Sequence, residues 1–257
     1  MSLRITNLSV SYAQHQVLDA LSIEALEPGS FTGLLGPNAS GKSTLFKAVA
    51  GLIKSHSTEL SLDGLNLANL SRTARAGNVA YLSQVFHTNL ALSVFESVLL
   101  GLKQQSKWRV KQQDLLKVSE ILSTLNIDHL ADKDICELSG GQKQLVAMAR
   151  ILVVEPKIVL LDEPTSALDL HHQLAILDVV RKLTISKGLI TIAALHDVNL
   201  AAKYCDRLML LNKGKIQVSG PPGRVLGLPI LGASYNVSTS LEKTQQGQFY
   251  VDAQLVG

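Results

Sequence analysis

The first residues that could do chemistry form a glycine-rich segment at positions 36–43, which reads G-P-N-A-S-G-K-S. It fits G-x-x-x-x-G-K-[ST], in which glycines let the backbone curl around a phosphate and N–H groups supply partial positive charge. We predict that Lys42 reaches the β- and γ-phosphates and that the Ser43 hydroxyl binds Mg²⁺. An ordinary glycine-rich turn is the alternative, and a chain of this length matches the pattern by accident roughly once in a hundred cases. The predicted phosphate-binding residues are Gly36, Pro37, Asn38, Ala39, Ser40, Gly41, Lys42, Ser43 and Thr44.

Two adjacent acids follow an apolar run at residues 158–161, which reads I-V-L-L. The run is typical of a buried strand, and a strand that ends in paired acids is a Walker B pattern. Asp162 is predicted to hold the water shell of Mg²⁺, and Glu163 to orient or deprotonate the attacking water. Taken alone, a buried strand with a solvated acidic turn is an equally good interpretation. The phosphate-binding pattern upstream favours the functional one, so the sequence predicts a hydrolase.

A second glycine-rich helix start lies at residues 138–142, which read L-S-G-G-Q. Ser139 and Gln142 fit the S-x-x-Q pattern of a capping box, and the amides of Gly140 and Gly141 add partial positive charge at the helix N-terminus. Two such anion-binding ends can hold the same phosphate chain only if two molecules face each other. Taken by itself, the motif is better explained as a well-capped helix.

The alternation of strands and helices predicts how these motifs are positioned. Buried strands are predicted at residues 31–35, 158–161 and 189–195, which indicates a mainly parallel sheet with helices on its faces. Ser93 and Glu96 form another capping box at the start of a helical middle region that looks like an inserted subdomain. The sequence further predicts a half-buried strand at 21–25, hairpin turns at 63–64 and 212–214, helices at 42–50 and 170–183, and a helical face made of Leu115, Val118, Ile121, Leu122 and Leu125.

Composition excludes several classes of protein. The 257 residues are 46% hydrophobic and 18% charged, which fits a globular α/β protein and not a disordered or fibrous one. A net charge of +3 is too weak to indicate nucleic-acid binding by itself.

Cys136 and Cys205 fit no metal-binding pattern, so we expect two reduced, partly buried thiols. Residues 1–10 lack the apolar core of a secretory signal, and the uncharged stretch 76–95 is too polar to span a membrane.

With these motifs in this order and spacing, the sequence resembles the ATP-binding cassette (ABC) family, and specifically the nucleotide-binding subunit of a transporter. The L-S-G-G-Q segment matches the family's signature motif, Gln84 its Q-loop glutamine, residues 166–169 its D-loop and His196 its switch histidine. Tyr12 stands where the family places an aromatic that stacks on adenine, and an ordinary strand aromatic is the alternative. The resemblance covers essentially the whole chain.

The resemblance implies an α/β fold: a P-loop NTPase (RecA-like) core with a mixed sheet, an N-terminal antiparallel β region and an inserted α-helical subdomain. It implies a single ABC ATPase domain over residues 1–257, with the core at about 1–84 and 156–257 and the helical signature subdomain at about 85–155. The subdomain is expected to present a groove near Gln84 to a helix of a membrane subunit.

The resemblance also implies roles for individual residues of an ATPase that uses ATP and Mg²⁺. Glu163 is the implied general base, His196 contacts the γ-phosphate, and Gln84 senses the metal and couples to the membrane subunit. Asp169 is expected at the seam of a head-to-tail dimer. Metal contacts are implied for Ser43, Gln84 and Asp162, and contacts with the ATP of the partner copy for Ser139, Gly140, Gly141 and Gln142.

Residues 195–207 and the short tail from about Pro229 resemble the ATPases of iron–siderophore, haem and cobalamin importers. This implies a second copy of the chain, polytopic permease subunits and, indirectly, a substrate-binding protein as partners, with no nucleic acid, at the cytoplasmic face of the cell membrane. Three alternatives stay open: an importer ATPase for another cargo such as a metal ion, a soluble ABC ATPase outside transport, and a monomeric P-loop kinase. The signature motif argues against the kinase.

Some positions depart from the family pattern. Ala39 replaces a frequent glycine, and its methyl group is expected to be tolerated if φ is negative there. Leu145 replaces a common arginine after the signature, a change that bears on dimer or helix contacts. Residues 101–103 (G-L-K) replace the usual Gly-Arg of iron-chelate ATPases, a change that bears on the docking surface and the cargo. Trp108 is expected to be a packed aromatic rather than part of a nucleic-acid or membrane patch. His171 and His172 are expected on different helix faces, without a metal.

Overall fold

The structure, a computed structural model, describes residues 2–84, 91–103, 109–166 and 168–256. Within these ranges, two larger sheets and a C-terminal hairpin are joined by helices. The strands are β1 (Leu3–Tyr12), β2 (His15–Leu26), β3 (Phe31–Leu35), β4 (Glu59–Leu62), β5 (Leu65–Asn66), β6 (Val79–Leu82), β7 (Ile158–Asp162), β8 (Ile190–Ala194), β9 (Arg207–Asn212), β10 (Lys215–Gly220), β11 (Val237–Lys243) and β12 (Phe249–Leu255). The helices are α1 (Lys42–Val49), α2 (Arg72–Ala76), α3 (Val94–Lys103), α4 (Gln112–Thr124), α5 (Gly140–Leu152), α6 (Leu170–Ser186), α7 (Val198–Tyr204), α8 (Pro222–Leu226) and α9 (Pro229–Tyr235).

The sheet that positions the candidate site has the order β10-β9-β3-β8-β7-β6, with β10 as an antiparallel edge and the other strands parallel. Strands β3, β7 and β8 are buried along their whole length, as expected of parallel strands that are covered on both faces. The carboxyl ends of parallel strands meet at one edge of a sheet. The phosphate loop, Gln84, Asp162 and His196 therefore come together at this edge, although they are far apart in sequence.

The two faces of this sheet pack into separate hydrophobic cores because neighbouring residues of a strand point to opposite faces. Leu34 and Leu160 pack with α1 and with the antiparallel sheet β2-β1-β4-β5. Leu35 and Leu161 pack on the other side with helices that include α5, α6 and α7. The predicted α/β fold with a mixed sheet and an N-terminal antiparallel β region is confirmed.

The helical middle region contains the predicted capping box at Ser93. Its hydroxyl accepts a hydrogen bond from the Glu96 N–H at 3.2 Å, and a Glu96 carboxylate oxygen accepts one from the Ser93 N–H at 2.9 Å. The residues of the predicted apolar face of α4 are buried apart from Leu115. Leu115 is exposed in the first turn of the helix, ahead of the residues that reach the core. The proposed boundary at residue 85 lies outside the described residues, so the division into core and subdomain stays a prediction.

The two cysteines differ in environment. Cys205 is buried next to the main sheet, whereas Cys136 is exposed in a short 3-10 helix (Ile135–Glu137) before α5. The expectation of two partly buried thiols is therefore wrong.

Among the described residues we find no helix both long and apolar enough to cross a bilayer. The predictions for Trp108 fall outside the described residues, as does Ala167 in the predicted D-loop.

Candidate functional site

The phosphate loop connects β3 to α1 and borders an open cavity of about 920 Å³, a size typical of small-molecule sites. Gly36 has to be a glycine, because a Cβ atom there would lie 2.1 Å from the carbonyl oxygen of Leu211 in β9. Gly36 and Pro37 form the start of the loop behind the cavity, and the remaining predicted loop residues line it. The cavity is lined by His15, Gln16, Val17, Asn38, Ala39, Ser40, Gly41, Lys42, Ser43, Thr44, Gln84, Glu163, His196, Lys213 and Gly214.

Lys42 lies folded against the loop that it follows. Its ammonium group donates hydrogen bonds to the carbonyl oxygens of Gly36 at 2.7 Å and Pro37 at 3.1 Å. Burial lowers the pKa of Lys42, and the nearby carboxylates of Glu163 and Asp162 act in the opposite direction. The fold thus places a cation, only 6% exposed, where an anionic ligand of the loop would meet it.

Ala39 has a φ of 60°, so the condition of a negative φ, under which its methyl group was expected to be tolerated, is not met. A residue other than glycine costs about 1–2 kcal/mol in this left-handed conformation. The loop is held in this shape by two backbone hydrogen bonds: the Ser40 N–H donates to the Pro37 carbonyl, and the Gly214 N–H donates to the Ser40 carbonyl, both at 3.3 Å. The hairpin that contains Gly214 therefore fixes the left-handed turn from outside the loop.

Glu163 lies at the centre of the three predicted catalytic residues. One carboxylate oxygen is 2.6 Å from Nε2 of His196, and the other accepts a hydrogen bond from the Gln84 side-chain amide at 2.6 Å. Each of the three residues follows a different parallel strand at the same edge of the sheet. Glu163 also has a positive φ of 53°, which turns the chain sharply after β7. The carboxylate is thereby brought beside the phosphate loop, where a base for a water molecule would be needed.

Asp162, at the end of β7, has one satisfied and one free carboxylate oxygen. It is 3% exposed, and Oδ2 accepts a hydrogen bond from the Tyr81 hydroxyl at 3.0 Å. Oδ1 is buried and has no hydrogen-bond partner among the described residues. Burial and the charge of Asp162 raise the pKa of Tyr81, so the phenol stays a donor. A buried carboxylate oxygen without a partner, together with the hydroxyl of Ser43 and the amide oxygen of Gln84, fits the oxygen ligands that Mg²⁺ prefers.

The signature residues lie away from the cavity of their own chain. Ser139 caps α5: its hydroxyl accepts a hydrogen bond from the Gln142 N–H at 3.3 Å, and the Gln142 side chain accepts one from the Ser139 N–H at 3.1 Å, as predicted. Ser139 and Gly140 are exposed, and none of the signature residues lines the cavity. One chain therefore does not bring its signature motif and its phosphate loop together.

Asp169 caps α6 and is tied to His172. Asp169 Oδ1 accepts a hydrogen bond from the His172 N–H at 2.9 Å and lies 2.7 Å from Nδ1 of the same histidine. These hydrogen bonds lower the pKa of Asp169. The His172 ring also packs against Gly141, where a Cβ atom would lie 2.2 Å from ring carbon Cδ2. His172 thus connects the predicted D-loop to the signature helix. Sequence reasoning gave it no such role, and its ring is 5.5 Å from that of His171.

This contact predicts the effect of a small substitution. Gly141→Ala places a methyl group against the His172 ring, so either the ring, with its contact to Asp169, or the start of α5 has to shift. We expect at least about a tenfold loss of the ATP hydrolysis that the resemblance implies, because displacements near 1 Å from catalytic geometry have large kinetic effects. The double variant Gly141→Ala/His172→Ala removes the obstacle and should recover part of the activity. Steady-state ATPase assays on both variants and on His172→Ala alone test this. An equal loss of activity in Gly141→Ala and in Gly141→Ala/His172→Ala would contradict the steric explanation.

The end of the cavity away from Glu163 contains residues that the sequence did not predict. Tyr12 is 48% exposed and does not line the cavity, so its stacking on adenine stays a prediction. The cavity is instead bordered there by residues that sequence reasoning did not select: His15, Gln16 and Val17 of β2, and Lys213 and Gly214 of the β9–β10 turn. The sequence indicated Gly214 only as part of a predicted turn at 212–214. The position of this turn beside the phosphate loop depends on strand order, which the sequence does not show.

Comparison with known proteins finds a matching family and relatives that align along most of the chain. A family model described as ABC transporter matches residues 18–166. The hemin import ATP-binding protein HmuV of Pseudomonas aeruginosa is 38% identical over 246 residues, which cover 94% of this chain and 95% of that protein.

Two solved structures are similar along most of the chain. A metal-chelate type ABC transporter in an inward-facing conformation matches with a TM-score of 0.83 and 27% identity, covering 100% of this chain and 98% of that one. A bacterial ABC transporter cassette in a dimeric structure matches with a TM-score of 0.75 and 26% identity, covering 86% and 98%.

Proposed function

Because the chain belongs to the ABC transporter family, we propose that it is the ATP-hydrolysing subunit of an importer that takes up an iron chelate, haem or cobalamin through a membrane permease. The observation that carries the catalytic part is the position of Glu163. Its carboxylate lies between Gln84 and His196, beside the phosphate loop and in the same cavity. ATP hydrolysis is the activity of this family. A phosphate loop and the Glu163 carboxylate in one cavity support the same activity for this chain.

ATP binding begins at the phosphate loop. The amides of residues 38–43 and the N-terminus of α1 attract the phosphates. Lys42 exchanges the carbonyl oxygens of Gly36 and Pro37 for the β- and γ-phosphates, which are better partners because they carry negative charge. The adenosine end then extends towards His15, Val17 and the β9–β10 turn, which form the other end of the cavity.

Hydrolysis requires one oxygen of Glu163 to exchange its present partner for a water molecule. The water attacks the γ-phosphorus and gives its proton to the carboxylate, while the bond from that phosphorus to the oxygen bridging the β- and γ-phosphates breaks. His196 is near enough to Glu163 to contact both the carboxylate and the γ-phosphate as charge develops. The products are ADP and inorganic phosphate.

The residues that would hold Mg²⁺ are Asp162, Ser43 and Gln84. When bound, the ion would supply positive charge that neutralises the charge developing on the phosphates. The free oxygen of Asp162 and the polar side chains that line the cavity support this assignment.

Asp162→Asn tests the magnesium assignment. The substitution keeps the shape of the side chain and removes its negative charge, so we expect the Mg²⁺ concentration for half-maximal hydrolysis to rise at least about tenfold. Titration of ATPase activity with Mg²⁺ at fixed ATP measures the change. The control is Asp178→Asn, since Asp178 pairs with Lys182 on the surface of α6. An unchanged magnesium requirement in Asp162→Asn would remove Asp162 from the metal site.

Two copies of the chain complete each site. Ser139 is exposed and remote from its own cavity, so its hydroxyl and the α5 amides are available to the ATP of a second copy. A dimeric structure is known for a similar cassette. In the proposed head-to-tail dimer, closure excludes water and surrounds the γ-phosphate from both sides, and hydrolysis with phosphate release opens the dimer.

The membrane and cargo assignments rest on relatives and on the tail of the sequence. Import ATP-binding proteins work with membrane permeases, and HmuV, at 38% identity, is named for hemin import. The match to a metal-chelate type transporter extends over the whole chain, including the C-terminal segment. We place the subunit at the cytoplasmic face of the cell membrane, with a substrate-binding protein as an indirect partner of the complex.

Purification of a tagged chain from detergent-solubilised membranes of its native host tests the proposal. We expect a polytopic permease to co-purify, and the reconstituted complex to drive ATP-dependent uptake of haem, a ferric siderophore or cobalamin into proteoliposomes. Uptake of a free divalent metal ion alone would favour another cargo. A chain that stays in the soluble fraction and binds no permease would favour the soluble ABC ATPase instead.

A further inference from the structure

Tyr235, the last residue of α9, contacts the phosphate loop directly. The backbone N–H of Gly36 donates a hydrogen bond to the Tyr235 hydroxyl oxygen at 2.7 Å, across 199 positions of sequence. Burial raises the pKa of Tyr235, so the group remains a neutral hydroxyl at physiological pH. Gly36 is the first residue of the loop, and neither Gly36 nor Tyr235 lines the cavity. The tyrosine therefore holds the loop without occupying a phosphate position.

Gly36 is held on both sides of its Cα atom by side chains. Tyr235 binds the N–H on one side, and Lys42 binds the carbonyl oxygen on the other. The lysine has to leave this carbonyl when it moves to the phosphates of ATP. After that exchange, Tyr235 is the remaining side chain that the described residues show on the Gly36 backbone.

Helix α9 is itself fixed against the strand that borders the loop. The Asn212 side-chain amide, at the end of β9, donates a hydrogen bond to the Ser234 hydroxyl at 3.2 Å. The neighbouring residue of β9, Leu211, is the one whose carbonyl oxygen leaves no room for a side chain on Gly36. Tyr235 thus reaches the loop from a helix whose position is set by the same strand.

We propose that Tyr235 is a positioning residue of the nucleotide site: its hydroxyl holds the start of the phosphate loop in the binding shape while Lys42 changes partners. The inference rests on the proposed binding of ATP by this loop. A loop that is ordered before the ligand arrives binds more tightly, because the ordering does not have to occur on binding. Without the hydroxyl, the loop would be less ordered in the free protein. Part of the free-energy cost of ordering it would then fall on nucleotide binding, and the affinity would be lower.

Tyr235→Phe removes the hydroxyl and little else. The full chain is titrated calorimetrically with MgADP, and its ATPase kinetics are measured separately. We expect the Kd for MgADP and the KM for ATP to rise roughly threefold to tenfold, the range that follows from the loss of one neutral hydrogen bond. The kcat should stay within about twofold, because Tyr235 does not touch the reacting atoms.

Two control variants separate this role from a purely structural one. Tyr204→Phe deletes a hydroxyl that donates a hydrogen bond to the Leu174 carbonyl at 3.5 Å, away from the cavity. Ser234→Ala weakens the docking of α9 and keeps the tyrosine hydroxyl. Tyr204→Phe should lower the melting temperature and leave the Kd unchanged, whereas Ser234→Ala should raise the Kd by less than Tyr235→Phe does. An unchanged Kd in Tyr235→Phe, or an equal rise in Tyr204→Phe, overturns the inference.

Hydrogen exchange of the Gly36 amide gives a second measurement on the unaltered chain. The amide should be protected both in the free protein and with MgADP bound, and rapid exchange in the nucleotide-bound form would contradict the proposal. If the unaltered chain binds no nucleotide at all, the proposed function fails, and this inference fails with it. Nucleotide binding that is insensitive to Tyr235→Phe defeats the inference alone.

Discussion

Glu163→Gln is expected to lower steady-state ATP hydrolysis by at least about a hundredfold, because positioned general bases contribute factors of about 10² to 10⁴. The amide has the same shape as the carboxylate and can keep a hydrogen bond to Gln84 or His196. It cannot accept the proton of the attacking water. Binding of MgATP should be retained, since Lys42 and the loop amides are unchanged. Release of phosphate and binding of a fluorescent ATP analogue measure the two properties separately.

The matched control for this substitution is Glu120→Gln. Glu120 is an exposed residue of α4, outside the cavity, and the control should hydrolyse ATP at the rate of the unaltered chain. Hydrolysis by Glu163→Gln at that same rate would show that Glu163 is not the base. Loss of ATP binding together with hydrolysis would instead assign Glu163 a role in holding the nucleotide.

Lys42→Ala is expected to affect both binding and hydrolysis. The side chain brings a buried positive charge to the phosphate loop, and loss of one preorganised electrostatic contact lowers kcat by about 10² to 10³. We expect hydrolysis to fall at least about a hundredfold, and the affinity for MgATP to fall as well, because the lysine interacts with the phosphates in the ground state.

Lys47→Ala serves as its control. Lys47 lies in the last turn of α1 and does not line the cavity. Both variants replace a lysine of the same helix by alanine, and only Lys42→Ala removes a charge from the cavity. Hydrolysis by Lys42→Ala within tenfold of the unaltered chain would contradict the role assigned to Lys42.

The strands that position the site could be predicted because their sequences are unambiguous. The apolar runs before Gly36 and Asp162 are too short for helices and too apolar for exposed strands, and both are buried strands. The capping boxes at Ser93 and Ser139 were equally predictable, because they depend on residues only three positions apart. Local chemistry and local spacing were sufficient for these elements.

The contacts that depend on strand order could not be predicted in the same way. Tyr81 meets Asp162 because β6 lies beside β7, and Tyr235 meets Gly36 because α9 packs beside β9. No periodicity connects residues separated by 81 or 199 positions. Ala39 shows a second limit: one of the two hydrogen bonds that hold its left-handed turn comes from Gly214 in the β9–β10 turn, so the conformation of this residue depends in part on a segment far away in sequence.

The most direct measurement is an experimental structure of the Glu163→Gln chain with MgATP. Two copies are predicted to enclose two nucleotides, with the Ser139 hydroxyl of one copy within hydrogen-bonding distance of the γ-phosphate that Lys42 of the other copy holds. A nucleotide-bound monomer, or a dimer in which Ser139 contacts no phosphate, would contradict the account.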